Sequence, residues 1–359
     1  MKTLKIGLAT LLLSLSAAAH ADATSDFATL LEEHWEWRLR NSPTFASSLG
    51  DHRYDDQWRD ESLAAYETRH GETREFLRRV YAIERTALSD ADQLNYELFR
   101  RQLQDDVDLY QFGGHMMPFF HRGGVQNLEN TTNRLRLSTT QDFDNWLARL
   151  GKVDVLIDQR IKLAEAGRKA EIMAPKVLMQ RITSQLALQR VENVEESPFY
   201  RVFRDMPNSV PTKEQERIRS AALEAIEKTV LPAYEKLDRY FNDKYLPASR
   251  ESIGQSALPN GNAWYEHLAR SFTTTRMTPD EIHRLGLNEV KRLRGEMQEI
   301  IREVGFEGSF AEFLVFLRTD SQFYFDNPDD LLETYLATCK RIDPELVNLF
   351  GVLPRMPYG

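Results

Sequence analysis

The sequence predicts a mainly α-helical protein, a multi-helix bundle with few short strands. Apolar residues recur three and four positions apart through most of the chain, as at Leu94, Leu98, Phe99 and Leu103. This spacing places them on one face of a helix. The strict alternation that is typical of half-buried strands is scarce. Because helices average about 11 or 12 residues, a chain of 359 residues has room for about ten helices and their loops.

Capping patterns mark several helix starts, because a Ser or Thr followed three residues later by an acid or Gln satisfies free backbone N–H groups. The pairs are Ser89 with Asp92, Thr139 with Asp142, Thr212 with Gln215, and Thr278 with Glu281. Pro175 is expected in the first turn of another helix. Pro232 lies inside a helical pattern from Thr212 to Tyr245 and is expected to bend or split that helix, because it has no N–H to donate.

Two segments interrupt the helical pattern, Gln111 to Asn133 and Glu195 to Pro211. Gly or Pro recurs in each of them, as is typical of turns. Both also carry aromatic residues, which disordered segments usually lack. We therefore expect ordered loops or lids at both places rather than flexible linkers.

The run EEHWEWRLR, residues 32–40, places two tryptophans among charged residues. A ligand-stacking site is one interpretation. The spacing favours an amphipathic helix, with Leu31, Trp35 and Leu39 on its buried face.

The N-terminus has the order of a secretory signal peptide. Lys2 and Lys5 precede an apolar run, and small residues follow up to Ala21. We expect residues 1–21 to be removed by cleavage after Ala21, which would place the protein in the periplasm or outside the cell. No later stretch is long and apolar enough to span a bilayer.

Charge and cysteine content exclude several classes of protein. The formal net charge is −9, and it becomes more negative once the two signal-peptide lysines are removed. Nucleic acid is therefore a poor partner. Cys339 is the single cysteine, so no internal disulfide can form, and packing must hold the fold together.

Familiar catalytic motifs are missing from the sequence. A helical zinc hydrolase commonly uses two histidines one helical turn apart with a Glu between them. No histidine here is followed by Glu, and no two are four residues apart. A Gly-x-Ser-x-Gly motif, a phosphate-binding Gly-rich loop and a CxxC pair are also absent. The histidines are His20, His34, His52, His70, His115, His121, His267 and His283.

The run GGHMMPFFHRGG, residues 113–124, contains two His and two Met, which would suit copper in an exported protein. The two histidines are six positions apart across a proline, so their geometry is not fixed. Met beside Phe is more typical of core packing. Loop packing is the favoured interpretation, with copper binding as the alternative.

The segment from Leu258 to Val290 combines a turn with a strongly capped helix. The turn at Pro259 to Gly261 is followed by Tyr265 and by three threonines at 273–275. This surface could pair with an extended peptide by strand addition, or it could be an ordinary surface hairpin. His283 lies one turn inside the capped helix, where a structural role is favoured over a base or ligand role.

These residues carry a resemblance to a known family. The ordered set resembles the bacterial family described as domain of unknown function 885, and it covers nearly the whole mature chain. The matching pieces are Asn41-Ser42-Pro43, Leu49-Gly50-Asp51 with Tyr54, Asp92 to Leu98, Ser197 to Tyr200, Leu258-Pro259 with Gly261, Tyr265, Thr273-Thr274, Thr278 to Val290, and Val304-Gly305-Phe306.

The resemblance implies a mostly helical, exported or lipid-anchored protein that is similar to helical zinc metallopeptidases. In such relatives a His-Glu-x-x-Pro-Gly-His-type segment in the C-terminal half is expected to hold zinc. No position of this chain matches that segment, so no zinc ligand or catalytic Glu is carried over. The resemblance places Gly261 and Tyr265 near the substrate cleft, with His283 as the next candidate. Phe272 stands where a polar His is expected.

The leading hypothesis is the N-terminal part of a zinc-dependent peptidase, with zinc expected only in a full-length form. Residues 22–250 form a helical region, and residues 251–359 carry the cleft loop and capped helices before the metal-binding half. Peptides are the expected partners, and self-association through uncovered apolar faces is expected. The alternative is a non-catalytic helical binding or scaffold protein of the periplasm. Candidates for the uncovered faces are Leu332, Tyr335, Leu346, Leu349 and Phe350.

Overall fold

The computed structural model describes residues 23–356. The predicted signal peptide, residues 1–21, lies outside the described residues. The chain divides into a first compact unit, Met1–Arg276, and a second, Met277–Gly359. Helices dominate both units, and the only extended pairings within residues 23–356 are two isolated β-bridges. The predicted fold class, a mainly α-helical multi-helix protein, is confirmed.

The helices are numbered in chain order, beginning with α1 at residues 23–41. The remaining helices of the first unit are α2 (Pro43–Ser48), α3 (Leu63–Ala82), α4 (Asp90–Tyr110), α5 (Thr140–Leu150), α6 (Val153–Lys169), α7 (Lys176–Ala187), α8 (Arg201–Arg204), α9 (Thr212–Ala225), α10 (Leu231–Tyr240), α11 (Leu246–Ala248) and α12 (Gly261–Thr273). Those of the second unit are α13 (Pro279–Glu303), α14 (Phe310–Thr319), α15 (Pro328–Ile342) and α16 (Leu346–Leu349). No helix within residues 23–356 is long and apolar enough to cross a membrane.

Two hydrophobic clusters account for most of the core of the first unit. One joins α1, α3 and α4, where Phe27 and Leu30 pack with Leu77 and Leu103. The larger cluster is formed by α5, α6, α7, α9, α10 and the segments between them. The fully buried Tyr234 of α10 belongs to it, and its hydroxyl donates to the carbonyl oxygen of Val125 at 2.6 Å. A buried hydroxyl needs such an acceptor, because leaving it unpaired would cost free energy.

Two π turns lie in the long helical path from α9 to α11. They occupy Ile226–Val230 and Phe241–Tyr245, and each ends just before a proline, Pro232 or Pro247. Proline cannot donate a backbone N–H, and its ring clashes with the carbonyl four residues earlier. A wider turn relieves both problems. The predicted split at Pro232 does not occur, because the helical path continues through the π turn into α10, and a bend there stays a prediction. Pro175 directly precedes α7.

Three of the predicted helix caps are confirmed. Ser89, Thr139 and Thr278 each accept a hydrogen bond from the backbone N–H three residues later. The prediction for Thr212 is wrong, because Thr212 is itself the first residue of α9 and no side chain caps that helix. Gln215 donates instead to carbonyl oxygens of the preceding loop. The pattern was right about the helix start but wrong by one residue about the cap.

The two segments predicted to be ordered loops are confirmed as ordered. In the first, short 3₁₀ turns alternate with extended backbone, and Phe119 and Val125 are buried in the larger cluster. In the second, Phe199, Tyr200 and Phe203 are buried in the same cluster. Their aromatic side chains therefore serve the core.

Helix α1 is amphipathic as predicted, but its buried face is different. Phe27 and Leu30 are buried, whereas Trp35 is 43% exposed. Trp37 is half-buried and donates from its Nε1 to the carboxylate of Glu72 at 2.7 Å. The predicted Leu31–Trp35–Leu39 face is wrong at Trp35. Residues two positions apart lie about 200° apart around a helix, so Trp35 and Trp37 cannot both face the core, and it is Trp37 that contacts α3.

The second unit has very little buried interior. Its helix α13 starts at the Thr278–Glu281 capping box and ends at Glu303, two residues before Gly305, whose φ of +67° favours glycine. The N–H of Phe306 then donates to the carbonyl of Ile301 at 3.2 Å, which closes the helix. Ile301 is the one buried side chain among the described residues of this unit.

Candidate functional site

The turn before α12 leads directly into a helix rather than a strand. The N–H of Gly261 donates to the carbonyl of Leu258 at 2.8 Å, and residues 261–273 are helical. The prediction of peptide binding by strand addition at this segment is wrong, because helical hydrogen bonds occupy the amides that a peptide would need. The alternative of a surface hairpin is wrong for the same reason.

Gly261 has a structural explanation of its own. A Cβ atom at this position would lie 2.1 Å from the carbonyl oxygen of Gln255 and 2.9 Å from the Cα atom of Ser256. Asn260, just before it, is left-handed with a φ of +53°. The glycine therefore lets the start of α12 approach the preceding turn closely, whatever its relation to a substrate.

Neighbouring aromatic residues at the start of α12 have opposite exposures. Trp264 is buried and stacks on Phe112, with ring centroids 5.6 Å apart and planes 8° apart. Tyr265 is 52% exposed. Trp264 therefore anchors the helix, and Tyr265 lies where a ligand could reach it.

The three threonines at residues 273–275 lie at the C-terminal end of α12, where Thr274 is the C-cap residue. Thr274 is left-handed, with a φ of +58°, and its N–H donates to the carbonyl of Arg270 at 3.0 Å. The hydroxyl of Thr273 lies 2.9 Å from that of Thr275. The end of the helix is tied to α4, where Asp105 accepts a hydrogen bond from the Ser271 hydroxyl at 2.8 Å. Local structure thus explains most of this polar run.

The three candidate cleft residues belong to different parts of the chain. Gly261 and Tyr265 share one helix of the first unit, whereas His283 is an exposed residue of α13 in the second unit. Their assignment to a substrate cleft stays a prediction.

His115, in the loop considered for copper, belongs to a stack of rings. Its imidazole lies between the rings of Tyr110 and Tyr66, with centroids 4.8 Å and 4.9 Å away, and His70 stacks on the other face of Tyr110 at 4.0 Å. Burial, followed by the charges of Arg69 and His70, lowers the pKa of His115. A neutral imidazole is well suited to this stack, which supports the packing interpretation of the loop.

The described residues do not fit a zinc site. Within residues 23–356, no group of three or more His, Cys, Asp and Glu side chains lies close enough to hold a metal ion. The histidines with lowered pKa, His34, His70 and His115, are each held by aromatic packing.

A cavity of about 550 Å³ lies in the first unit, beside α2, α6 and the loop at 122–134. Local sequence spacing does not reveal it, because its lining comes from four separate segments between Ser42 and Arg160 that meet only in the folded chain. Its charged lining residues are Arg59, Glu61, Arg122, Arg134 and Arg160.

Two buried guanidinium groups hold the backbone beside this cavity. Arg149 of α5 is 1% exposed and donates to the carbonyls of Tyr54 at 3.2 Å and Gln57 at 3.0 Å. Arg69 of α3 donates to the carbonyl of Asp60 at 2.7 Å. Burial lowers the pKa of both arginines, although arginine remains charged at any ordinary pH. The segment 54–60 is therefore fixed by contacts from two different helices.

The fold is that of a mainly helical protein, and its first unit contains a cavity lined by polar and charged side chains. The model of a family described as bacterial protein of unknown function (DUF885) matches residues 43–359, and the chain belongs to this family. No curated protein matches the chain.

A solved structure, described as "the putative lipoprotein from Colwellia psychrerythraea", is similar in fold, with a TM-score of 0.70 at 19% sequence identity. The match covers 93% of this chain and 58% of that one. The chain thus spans somewhat more than half the length of that structural relative.

A matched pair of glycine substitutions separates packing from helix propensity. Gly261→Ala should lower the free energy of unfolding by about 1–3 kcal/mol, because the new methyl group meets a backbone carbonyl. Gly286→Ala, in α13 with nothing within 4 Å of the new Cβ, should raise local stability by about 0.5–1 kcal/mol. Urea unfolding followed by circular dichroism measures both. Equal effects of the two changes would contradict the close approach at Gly261.

Proposed function

We propose that this chain is an exported protein that contributes one wall of a peptide-binding cleft in a zinc-dependent peptidase. The metal site is supplied by a part of the family fold outside the residues described. The observation that carries the proposal is an unpartnered apolar stripe along α13.

The stripe follows the spacing of a helix-packing seam. Val290, Leu293, Met297, Ile300 and Val304 are separated by three, four, three and four residues, so they share one face of α13. Their exposed fractions range from 42% to 65%. A helix with this repeat normally packs its apolar face against another helix.

The rest of the second unit also exposes large apolar side chains. Large apolar side chains are exposed on α15 and beyond, including Leu332, Tyr335, Leu349 and Phe350, whereas Leu346 is exposed to a lesser degree. A set of exposed apolar residues this large is typical of an interaction surface. The match spans 58% of the structural relative, which supports a further part of a longer family protein as the partner.

The first unit supplies the exposed side chains that a peptide could contact. Tyr265 presents a half-exposed phenol on a helix that Trp264 anchors. Under the proposal, Tyr265 contacts substrate, whereas Gly261 shapes the start of α12. The described residues provide positioning and binding, and the metal chemistry belongs to the completed fold.

The proposal predicts different behaviour for the chain alone and for the completed fold. The purified 359-residue chain should bind no stoichiometric zinc and hydrolyse no short peptides. A chain extended by the remaining part of the family fold should bind one zinc and hydrolyse peptides, with activity lost on chelation. Atomic absorption and a peptide-pool assay by mass spectrometry measure both.

One bound zinc with peptidase activity in the 359-residue chain would contradict the division of roles. Peptide binding without hydrolysis in the extended chain would favour the alternative, a helical binding or scaffold protein. In the extended chain, Tyr265→Phe should impair turnover while leaving folding intact, because it removes the hydroxyl of the proposed contact.

The apolar stripe of α13 predicts self-association of the chain when it is purified alone. Leu293→Glu and Met297→Glu should shift sedimentation toward the monomer, because a charge on a packing seam opposes burial. Asn288→Glu, on the opposite face of α13, is the matched control and should leave the distribution unchanged. A monomeric wild-type chain at high concentration, or equal effects of all three changes, would refute the stripe as a packing surface.

A further inference from the structure

The charged residues of the 550 Å³ cavity leave an excess of positive charge. Arg160 pairs with Glu61 at 2.9 Å, and Glu61 also accepts the hydroxyl of Tyr66 at 2.6 Å. The carboxylate of Glu61, which is only 4% exposed, is therefore already paired with Arg160 and Tyr66. Among residues 23–356, Arg59, Arg122 and Arg134 have no carboxylate partner.

Two acidic residues near Arg59 form no ion pair with it. The carboxylate of Asp60 accepts hydrogen bonds from the Gln159 side chain and the Ser62 N–H, both at 2.9 Å. The carboxylate of Asp56 lies 3.5 Å from Lys152. Both acids border the neighbouring depression beside Trp58, which Arg59 also lines.

Arg59 is held in place without a hydrogen-bond acceptor. Its guanidinium lies over the ring of Tyr66, 5.6 Å from the centroid, and its buried Nε has no partner. The buried Nε of Arg160 also has none. Buried N–H groups without acceptors are uncommon, because each costs free energy. A ligand that brings acceptor oxygens would remove that cost.

The remaining lining indicates the kind of anion. Phe45, Trp58 and Leu128 add apolar surface, and the amides of Asn127 and Asn130 can pair with the polar groups of a peptide backbone. Inorganic phosphate would leave the apolar part empty. A cavity of about 550 Å³ has the size of a small-molecule site.

We propose that this cavity binds the free C-terminal carboxylate of a short peptide. Arg59 holds the carboxylate at the inner end, Arg122 and Arg134 attract it at the exposed rim, and the apolar residues receive the adjacent side chains. Arginine suits this task because its planar fork matches the two oxygens of a carboxylate. The site goes beyond the proposed peptidase role and does not depend on it, since binding is measured without hydrolysis.

Calorimetry with matched peptides tests the proposal. The probes are an N-acetylated peptide of three alanines with a free C-terminus, the same peptide as its C-terminal amide, and inorganic phosphate. The free acid should bind at least about tenfold more tightly than the amide, because a charged hydrogen-bonded pair is lost in the amide. Phosphate should bind more weakly than the free acid.

Variants locate the site. Arg59→Gln should weaken binding of the free acid at least about tenfold. Arg122→Gln, at an exposed position that cannot unfold the core, should weaken it as well. Arg181→Gln, an exposed arginine of α7 outside the cavity, is the control and should leave binding unchanged. Equal binding of acid and amide, tighter binding of phosphate, or no effect of Arg122→Gln would overturn the proposal.

Discussion

The first unit depends on buried guanidinium groups that bind backbone carbonyls. Arg149 reaches from α5 to the carbonyls of Tyr54 and Gln57, and its own carbonyl accepts the Nε1 hydrogen of Trp58 at 2.8 Å. Burying a charged group costs several kcal/mol unless its hydrogen bonds are satisfied. Arg149 meets this requirement with the carbonyls of the irregular segment and with the hydroxyl of Ser47 at 2.8 Å. These contacts hold the segment, whose residues Trp58, Arg59 and Glu61 line the cavity.

The two units differ in how far they bury their apolar side chains. The first has buried clusters between α1, α3 and α4 and around α10. The second exposes an apolar stripe with the 3-4 spacing of a packing seam and buries Ile301. Local signals in the second unit are nevertheless strong, since a capping box starts α13 and a left-handed glycine ends it. Local sequence therefore defines its helices, while tertiary packing is expected from a partner.

Local chemistry made much of the fold predictable. Capping by Ser89, Thr139 and Thr278 and the disturbance near Pro232 follow from hydrogen bonding within one or two turns. The buried face of α1 did not follow, because Trp35 and Trp37 point to nearly opposite sides of the helix and only the neighbouring helices decide which of them packs inward. The arginine cavity could not be found either, since Arg59, Arg122 and Arg160 meet only through tertiary structure. For Gly261 the resemblance indicated a special position, and the structure adds a packing reason for it.

The most direct test of this account is hydrogen exchange in the Arg149→Lys variant. Lysine keeps the positive charge but lacks the planar fork that binds two carbonyls at once. Exchange at the backbone amides of residues 54–61 should become faster, binding of the free-acid peptide should weaken, and exchange in α13 should stay unchanged. Unchanged protection of residues 54–61 would show that the guanidinium of Arg149 does not fix the segment, and the account of the cavity would then be wrong.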